Sequence, residues 1–356
     1  MKALWLILAL VIIYSLFKVH NQKHYLQSLE GKRLILNVRV NAEPTLYENS
    51  QSLRIQGILV SVSRYPEINY GDKLEVEGDY SQGKLNNPVI VTHIPAQGIV
   101  FKLRGKLISF YKQALPEPHA SLVAGIVMGS KSNMPYEFWK ALKKTGTLHV
   151  VVASGMNVTL VAGFLMETLI RVMKRRQAVF VAICGIWLYA FLSGFEAPIV
   201  RASIMGSIAF SAQKLGRVYD AWRGLVISAI LMLIFRPLYI SDLGFQLSVL
   251  ATGSLIKFGS VFNRLLYIIP GFFREGLATS LAAQVGVAPL IFITFGELNP
   301  FSPFINALVL WTIPYITILG MISGILALLS TGLAKLILAL VYPLTLVFIK
   351  VVVGVS

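Results

Sequence analysis

The stretch KTGTLHVVVASGMNVTLVAG, residues 144–163, decides how the rest of the chain is interpreted. It begins with polar residues and becomes apolar enough to enter a bilayer, yet it contains His149, Ser154, Gly155 and Asn157. A polar side chain at membrane depth needs a partner or a water-filled cavity. The Ser154-Gly155 pair weakens the helix at the same place, as in the interrupted helices that build transporter sites near the bilayer midplane. The pattern fits such a site, and it equally fits a polar contact between helices.

The composition is that of a membrane protein. Of the 356 residues, 56% are hydrophobic and 13% are charged, whereas a soluble domain has about 25% charged residues. Repeated apolar runs of about 18 or more residues predict a polytopic α-helical membrane protein. In the second part of the chain we predict eight spans, at about 147–170, 178–194, 198–213, 221–236, 243–257, 277–295, 304–329 and 332–353.

The chain is strongly basic, with 32 Lys and Arg against 16 Asp and Glu and a net charge of +16. In a membrane protein the first explanation is orientation, because cytoplasmic loops collect Lys and Arg. Attraction to anionic lipid is the second explanation and a polyanionic ligand is the third, and charge alone does not rank the third above the others. The single cysteine, Cys184, lies in an apolar run, and an internal disulfide is therefore excluded.

Residues 1–20 are predicted to form a membrane anchor. Residues 3–17 are apolar and lie between two lysines, and no small-residue cleavage pattern follows them. We therefore expect an uncleaved helix with a cytoplasmic N-terminus, in a multi-pass protein of the plasma (inner) membrane. The basic clusters within 171–176 and 214–223 are expected on the same cytoplasmic side.

Residues 31–97 have a different character. Alternating apolar and polar residues predict strands within 33–40, 52–62 and 72–80, and a further apolar run occupies 88–94. Turn-forming residues separate these runs. The spacing suits a small closed β-barrel of the OB type. This domain is too polar for the bilayer, and the orientation of the anchor makes it extracytoplasmic.

The segment 98–118 combines apolar residues at helical spacing with Lys102, Arg104 and two further lysines. Such a pattern predicts an amphipathic helix that lies on the membrane surface. Residues 119–356 then form the transmembrane helical domain. Its first part includes the short, glycine-containing segment 121–135, which fits a partial, re-entrant helix.

Four more places break the apolar pattern. Glu196 precedes Pro198 at the start of a helix that carries Arg201 in its first turn. This arginine either pairs with Glu196, extends to the interface, or binds an anion in a cavity. The other places contribute polar residues at or within helices, namely Asp242, Gln246, Gln284 and Asn306, with Glu297 in the turn before the last of them. A pore-facing stripe and a hydrogen-bonded seam between helices predict the same spacing.

No recognisable catalytic or metal site is present in the sequence. His149 and Ser154 would need an acidic partner to act as base and nucleophile, and none is evident. The five histidines, at positions 20, 24, 93, 119 and 149, lack metal-ligand spacing. We therefore expect no enzymatic activity, no metal and no cofactor.

Five motifs, in their order along the chain, resemble the ComEC/Rec2 family of inner-membrane proteins of DNA uptake. They are LPEPHASLVAGIVMGSKSNMP (115–135), TGTLHVVVASGMNV (145–158), APIVRASIM (197–205), DLGFQLSVLAT (242–252) and AQVGVAPLIFITFGELNPFSPFINAL (283–308). The preceding barrel is similar to the N-terminal soluble domain of the family, so the resemblance covers most of the chain. It implies a channel that passes single-stranded DNA inward during natural transformation.

Two departures from the family pattern matter. Many members have histidine where this chain has Asn157, although asparagine is not foreign to the family. Full-length members often continue into a C-terminal metallo-β-lactamase-like domain, whereas this chain ends at Ser356 after its last predicted span. The resemblance is therefore to a form that lacks this domain, and strand degradation is expected to need another polypeptide.

The leading hypothesis is thus a channel for single-stranded DNA, driven by a separate cytoplasmic helicase. Its path would be lined or braced by His149, Ser154, Gly155, Asn157, Glu196, Arg201, Asp242, Gln246, Gln284 and Asn306. The expected partners are single-stranded DNA, the lipid bilayer, a DNA receptor, a separate nuclease and further copies of the chain. Two alternatives are a non-transporting membrane scaffold or binding protein of the same fold, and a membrane enzyme or small-solute transporter.

Overall fold

The structure of the chain is a computed structural model that describes residues 2–41, 43–55, 57–131, 134–151, 154–296 and 299–356. A small sheet lies near the N-terminus, and the rest of the described chain is mainly helical. This agrees with the predicted order of a β domain followed by a helical membrane domain. Glu297, which the sequence places in a turn before Asn306, lies outside the described residues.

The predicted anchor corresponds to helix α1 (Lys2–Gln27). It is not isolated, because Leu8, Val11 and Ile12 pack against a cluster that includes Met232 and Leu233. These two residues belong to helix α9 (Ala221–Phe235), which is followed by a short 3₁₀ helix at Pro237–Ser241. The anchor is therefore part of the helical bundle.

Six strands form one mixed sheet: β1 (Arg33–Arg39), β2 (Thr45–Leu46), β3 (Ser50–Ile55), β4 (Ile58–Ser63), β5 (Lys73–Ser81) and β6 (Lys84–Ile94). Their order is β1-β5-β6-β4-β3-β2, and neighbouring strands are antiparallel except for β4 and β6, which are parallel. Alternate residues such as Leu53, Val60 and Val76 are buried and form the core of this domain, as the two-residue period of a strand requires.

The predicted closed barrel is corrected to an open sheet in the described part of the chain. The edge strands are β1, which pairs with β5, and β2, which pairs with β3. Strand β2 is only two residues long, too short for a ladder that would join the two edges. Pro44, which precedes it, also has no N–H group to donate. The similarity to an OB fold stays a prediction.

The predicted interfacial helix is α2 (Ile99–Ala114). Lys102 and Lys106 are exposed, as expected for an amphipathic helix, but Arg104 is buried with Leu107 and Tyr111. The Tyr111 hydroxyl donates a hydrogen bond to the Gly320 carbonyl oxygen over 2.9 Å. The helix is thus anchored to the bundle along one side, and Arg104 is not part of its surface charge.

The segment after α2 contains two short helices, α3 (His119–Met128) and α4 (Tyr136–Thr145). Every residue of α3 is buried, and its ten residues span about 15 Å, half the hydrocarbon thickness of about 30 Å. This length suits a partial helix, and its re-entrant path stays a prediction. Its neighbours in the main core come from α2, α4 and the last two helices, with Leu122, Ile126, Ile313 and Phe348 among the buried members.

The remaining helices are α5 (Leu148–Val151), α6 (Gly155–Leu169), α7 (Arg175–Leu192), α8 (Ala197–Lys214), α10 (Leu243–Leu265), α11 (Gly271–Phe295), α12 (Ser302–Val309), α13 (Thr312–Ala327) and α14 (Thr331–Val355). Among the described residues, six helical segments are long and apolar enough to cross a membrane: α1, α5 with α6, α7, α10, α11 and α14. A multi-pass membrane protein is therefore well supported.

Three predicted spans differ from this pattern. The span at 304–329 is a pair of helices, α12 and α13, bent by 46° at a short break. The span at 221–236 is the shorter apolar helix α9. The span at 198–213 is helix α8, which is not among the six segments above because Arg201, Gln213 and Lys214 lower its hydropathy.

Candidate functional site

Arg201 is the most unusual polar side chain inside the bundle. It lies in the first turns of α8, where Pro198 suits the helix start because it needs no N–H partner there. Only 7% of the residue is exposed. Its Nε donates to Ser248 Oγ on α10 over 2.7 Å, and its Nη1 lies 3.1 Å from Met205 Sδ. Within the described ranges, no carboxylate forms an ion pair with this guanidinium.

Glu196, the predicted partner of Arg201, is paired elsewhere. Its Oε1 accepts a hydrogen bond from Lys131 Nζ over 2.7 Å. Lys131 follows α3 in the chain, so the contact joins the α3–α4 connection to the residue that precedes α8. Of the three roles predicted for Arg201, pairing with Glu196 is therefore not the one observed, and a buried cation without a counter-charge remains. Such a cation is costly unless an anion is bound beside it.

Three helices begin close to Arg201. A Cβ atom added to Gly155, the first residue of α6, would lie 3.3 Å from Arg201 Nη2 and 3.7 Å from the Pro198 carbonyl oxygen. A Cβ added to Gly244, at the start of α10, would lie 3.7 Å from Pro198 Cδ. The positive end of α6 therefore lies beside the guanidinium, and the positive end of α10 lies beside Pro198 at the start of the helix that carries Arg201. Helix starts that point at one place inside a membrane domain are how transporters attract anionic groups.

Buried polar atoms without hydrogen-bond partners occur in the same part of the bundle. Asn157 is fully buried, and its Nδ2 donates to the Ile126 carbonyl oxygen over 2.9 Å, but its Oδ1 has no partner. The hydroxyl of Tyr189 faces Asn157 and Ser193 without a well-formed hydrogen bond. Ser154 Oγ, in the residue before α6, is also without a partner. Unpaired buried groups cost free energy, and bound water or a polar ligand would satisfy them.

A second group of predicted residues lies around the corner between α4 and α5. His149 Nδ1 donates to the Gly146 carbonyl oxygen over 2.9 Å. Gly146 has a φ of +73° and packs so closely on Ser302 that a Cβ would overlap that side chain. Asn306 Nδ2 donates to Ser302 Oγ over 3.3 Å, and Asn306 Oδ1 has no partner.

Gln284 reaches the same corner through Asn299. Gln284 Nε2 donates to the Asn299 carbonyl oxygen over 3.3 Å, and Asn299 Nδ2 donates to the Lys144 carbonyl oxygen over 2.8 Å. Lys144 belongs to α4, so these bonds tie α11 to the end of that helix. Gln284 therefore braces this corner.

Asp242 and Gln246 have local partners at the start of α10. Asp242 Oδ1 accepts a hydrogen bond from the Phe245 N–H over 2.7 Å, which is the predicted helix cap. Gln246 Nε2 donates to the Ile240 carbonyl oxygen over 2.6 Å. Both residues shape the turn between the 3₁₀ helix and α10.

The ten predicted residues thus fall into different groups. Gly155 and Arg201 are in contact, Glu196 precedes the same helix start, and Ser154 and Asn157 flank Gly155 on α6. His149, Gln284 and Asn306 surround the α4–α5 corner, whereas Asp242 and Gln246 stabilise the start of α10. Two partners were not predicted as site residues. Ser248 lies in the polar stripe of α10, a signal that the sequence contains, whereas Lys131 is distant from Glu196 along the chain.

Comparison with known proteins gives a consistent result. The competence protein family matches residues 126–356, which is more than half of the chain. ComE operon protein 3 of Bacillus subtilis (strain 168) is 26% identical over 230 residues, covering 64% of this chain and 29% of that protein. Competence protein ComA of Neisseria gonorrhoeae is 29% identical over 217 residues, covering 56% of this chain and 30% of that protein.

An uncharacterised protein of Aquifex aeolicus (strain VF5) is 28% identical over 284 residues, covering 77% of this chain and 65% of that protein. The chain therefore matches less than two thirds of the length of each of these relatives. No solved structure matches the chain significantly. The matched region contains Arg201 with its neighbours Gly155 and Ser248, which we call the Arg201 cluster, and it also contains the α4–α5 corner. The chain belongs to the competence protein family, of the ComEC/Rec2 type that its motifs resemble.

Proposed function

We propose that this chain forms a membrane channel through which single-stranded DNA passes inward during natural transformation. The family that matches the chain and one of its relatives are both named for competence, and DNA uptake is the function that this family suggests. The observation that carries the proposal is the buried Arg201, which has no acidic counter-charge within the described ranges and lies where α6, α8 and α10 begin.

A phosphodiester is the ligand that these groups suit. A guanidinium binds phosphate oxygens with two parallel hydrogen bonds, and helix starts contribute N–H donors and positive potential. Ser248 holds the guanidinium through Nε, and that bond leaves Nη2 directed toward Gly155. The proposal thus assigns to Arg201 the role of drawing successive phosphates through an apolar bundle.

The rest of the proposal follows the expected topology. The N-terminus lies in the cytoplasm of the producing cell, the β domain lies outside, and the protein is in the plasma membrane. DNA is delivered by a receptor and drawn inward by a cytoplasmic helicase, while a separate nuclease removes the other strand. The chain itself supplies the passage and performs no chemistry on the DNA.

The test is binding and uptake of DNA by Arg201 variants. The full chain in nanodiscs of zwitterionic lipid is titrated with labelled oligothymidylate at several salt concentrations. Arg201→Ala is expected to weaken binding by about tenfold, equivalent to about 1.4 kcal/mol, and Arg201→Lys to retain part of it. Uptake of DNA by cells should fall in parallel.

The matched control is Arg171→Ala. Arg171 is exposed after α6 and pairs with Glu167 one helical turn away, so its removal changes the net charge equally without touching the bundle. If Arg201→Ala binds and transports DNA as the Arg171→Ala control does, the channel proposal is wrong. A folded protein that binds no single-stranded DNA at all would favour the scaffold alternative.

A further inference from the structure

The ion pair between Lys131 and Glu196 lies at the junction of the β domain and the helical domain. The two side chains are 16% and 15% exposed, and Nζ and Oε1 are 2.7 Å apart. Lys131 comes from the connection after α3, whose residues are all buried. Glu196 is the residue before α8 and precedes Arg201 by five positions, about 7.5 Å along a helix axis.

Tyr70 of the β domain contacts the segment next to this ion pair. A Cβ added to Gly194, two residues before Glu196, would lie 3.7 Å from the Tyr70 ring. The same ring also contacts Arg104, whose guanidinium carbon lies 5.8 Å from the ring centroid. Tyr70 also packs on Phe101 of α2, with centroids 5.6 Å apart. The connection between α7 and α8 is therefore held against the β domain, beside the ion pair.

A second ion pair fixes the β domain at this place. Arg104 of α2 is paired with Glu43, which lies between β1 and β2, and the two residues are 5% and 7% exposed. Burial raises the pKa of the Glu43 carboxyl, while the nearby charges of Arg104 and Lys131 lower it. Lys131 is thus close enough to influence Glu43, so the two ion pairs belong to one junction.

We propose that Lys131 is a second phosphate-binding residue, outside the Arg201 cluster, and that the Glu196 carboxylate occupies its phosphate position when no DNA is bound. The inference depends on the channel function proposed above. A carboxylate and a phosphate present similar oxygens to an ammonium group. In a largely buried ion pair such as this one, the mutual attraction is offset by the cost of removing both charges from water, so a polyanion at high local concentration can replace the carboxylate. Once a phosphate has displaced it from Lys131, the Glu196 carboxylate no longer blocks the start of α8. Arg201, in the first turns of that helix, then binds the next phosphate.

A phosphate could also come from lipid, and the structure favours DNA. Lys102 and Lys106 are the exposed cations of α2 and suit lipid headgroups on the membrane surface. Lys131, in contrast, is only 16% exposed and is paired with Glu196, the residue that precedes the helix carrying Arg201. A strand that reaches Arg201 from the side of the β domain would pass this lysine first.

The experiment compares Glu196→Gln, Lys131→Gln and the double variant, each as the full chain in nanodiscs of zwitterionic lipid. Labelled oligothymidylate is the probe. Removal of the masking carboxylate in Glu196→Gln should tighten binding by about three- to tenfold. Lys131→Gln should weaken binding and reduce the magnitude of the slope of log K against log salt by about 0.7, as expected for one lost phosphate contact. The double variant should bind like Lys131→Gln.

A purely structural ion pair gives a different result. In that case Glu196→Gln and Lys131→Gln would lower thermal stability to a similar extent, and neither would tighten binding. Equal or weaker binding by Glu196→Gln, in a variant that unfolds at the wild-type temperature, would overturn the masking proposal. If wild type and Arg201→Ala bind oligothymidylate equally, the channel proposal itself fails, so the two failures are distinguishable.

The lipid arm repeats the titration in nanodiscs that contain phosphatidylglycerol. A gain in DNA affinity for Glu196→Gln that is the same in both lipids supports DNA as the ligand of Lys131. A gain that disappears in anionic nanodiscs would mean that lipid phosphate occupies Lys131, and the assignment to DNA would then be wrong.

Discussion

Arg104 of the amphipathic helix α2 forms an ion pair with Glu43 of the β domain, and both side chains are almost completely buried. The contact joins two parts of the chain that the sequence predicts as separate units. One carboxylate oxygen of Glu43 and Nε of Arg104 have no hydrogen-bond partner, so these two charged groups are compensated mainly by each other. Loss of one member would leave a buried charge uncompensated.

This ion pair predicts a pH-dependent variant. Burial raises the pKa of the Glu43 carboxyl above its ordinary value of 4.5, and the Arg104 guanidinium opposes that rise. In Arg104→Met the opposing charge is lost, so the folded-state pKa rises further above the unfolded-state value. The contribution of Glu43 to stability is then fully present below pH about 4.5 and is lost as the pH rises through the folded-state pKa.

We therefore expect Arg104→Met to lose about 3 to 5 kcal/mol at neutral pH and to recover part of that loss in mild acid. Thermal unfolding in detergent, measured from mild acid to neutral pH, shows how the stability of the variant changes with pH. The control is the double variant Glu43→Gln/Arg104→Met, which has no carboxyl at this place and should show no such recovery. Identical pH profiles for the single and double variants would contradict the prediction.

Gly155 provides a separate test of the Arg201 cluster. An alanine there would place its Cβ 3.3 Å from both Arg201 Nη2 and Ala202 Cβ, which is closer than ordinary contact. The guanidinium or the α6 helix start must move by a few tenths of an ångström, while alanine itself favours the helix. Gly155→Ala is therefore expected to keep its thermal stability and to weaken oligothymidylate binding by about threefold.

Gly163→Ala is the matched control for this substitution. Both glycines lie on α6, but a Cβ at Gly163 has no atom within 4 Å. Binding by Gly163→Ala should equal that of the wild type. If both variants weaken binding equally, the effect belongs to the helix as a whole and not to contact with Arg201.

Hydropathy and residue pattern predicted which segments form helices and strands, but not which polar groups meet. Each predicted span corresponds to helical structure because apolar periodicity is a local property. In contrast, the partner of Glu196 is Lys131, 65 positions away, and not the neighbouring Arg201. Which cation pairs with Glu196 depends on how the helices pack against each other, and residue spacing within one segment contains no information about that packing.

The open sheet and the bent span have similar causes. Alternation predicted most of the strands, but closure of a barrel depends on which edges pair, and the two-residue β2 has no distinct pattern of its own. The apolar run at 304–329 does not reveal that the helix bends between Val309 and Thr312. The position of Gly155 beside Arg201 is likewise a tertiary contact, although each residue was predicted as part of the path.

Two tyrosines distinguish a wet passage from a dry seam between helices. Tyr111 donates a hydrogen bond to the Gly320 carbonyl oxygen, so Tyr111→Phe should lower the free energy of unfolding by about 1 kcal/mol. The Tyr189 hydroxyl has no well-formed partner. Tyr189→Phe should therefore change stability by no more than about 0.5 kcal/mol, yet slow DNA uptake if the hydroxyl faces the path.

Chemical unfolding and DNA uptake, measured on the same two variants, provide the comparison. A dry interior predicts that uptake follows stability, so Tyr111→Phe would be the slower variant. A path beside Asn157 and Tyr189 predicts the reverse order. Wild-type uptake by Tyr189→Phe would remove this part of the bundle from the proposed passage.

The proposed orientation of the protein can be tested by labelling, and the position of α7 tells which residues to label. Phe191, near the end of α7, packs on Phe101 at the β-domain side, with centroids 5.7 Å apart. The helix begins 16 residues earlier at Arg175, about 24 Å away along its axis. The basic residues before and at its start therefore lie at the end of the bundle that faces away from the β domain. The proposed topology makes that end cytoplasmic, in agreement with the preference of cytoplasmic loops for Lys and Arg.

We expect Asp79→Cys, at an exposed position of β5, to react with a membrane-impermeant maleimide in intact spheroplasts. Val172→Cys, in the exposed connection between α6 and α7, should react only after the membrane is opened. Both variants are made with Cys184→Ala, because Cys184 is the single native cysteine and is exposed. Labelling of Val172→Cys in intact spheroplasts, with Asp79→Cys protected, would invert the proposed topology. Single-stranded DNA would then meet the basic end of α6 and α7 before it reached Lys131, and the order of phosphate contacts proposed above would be reversed.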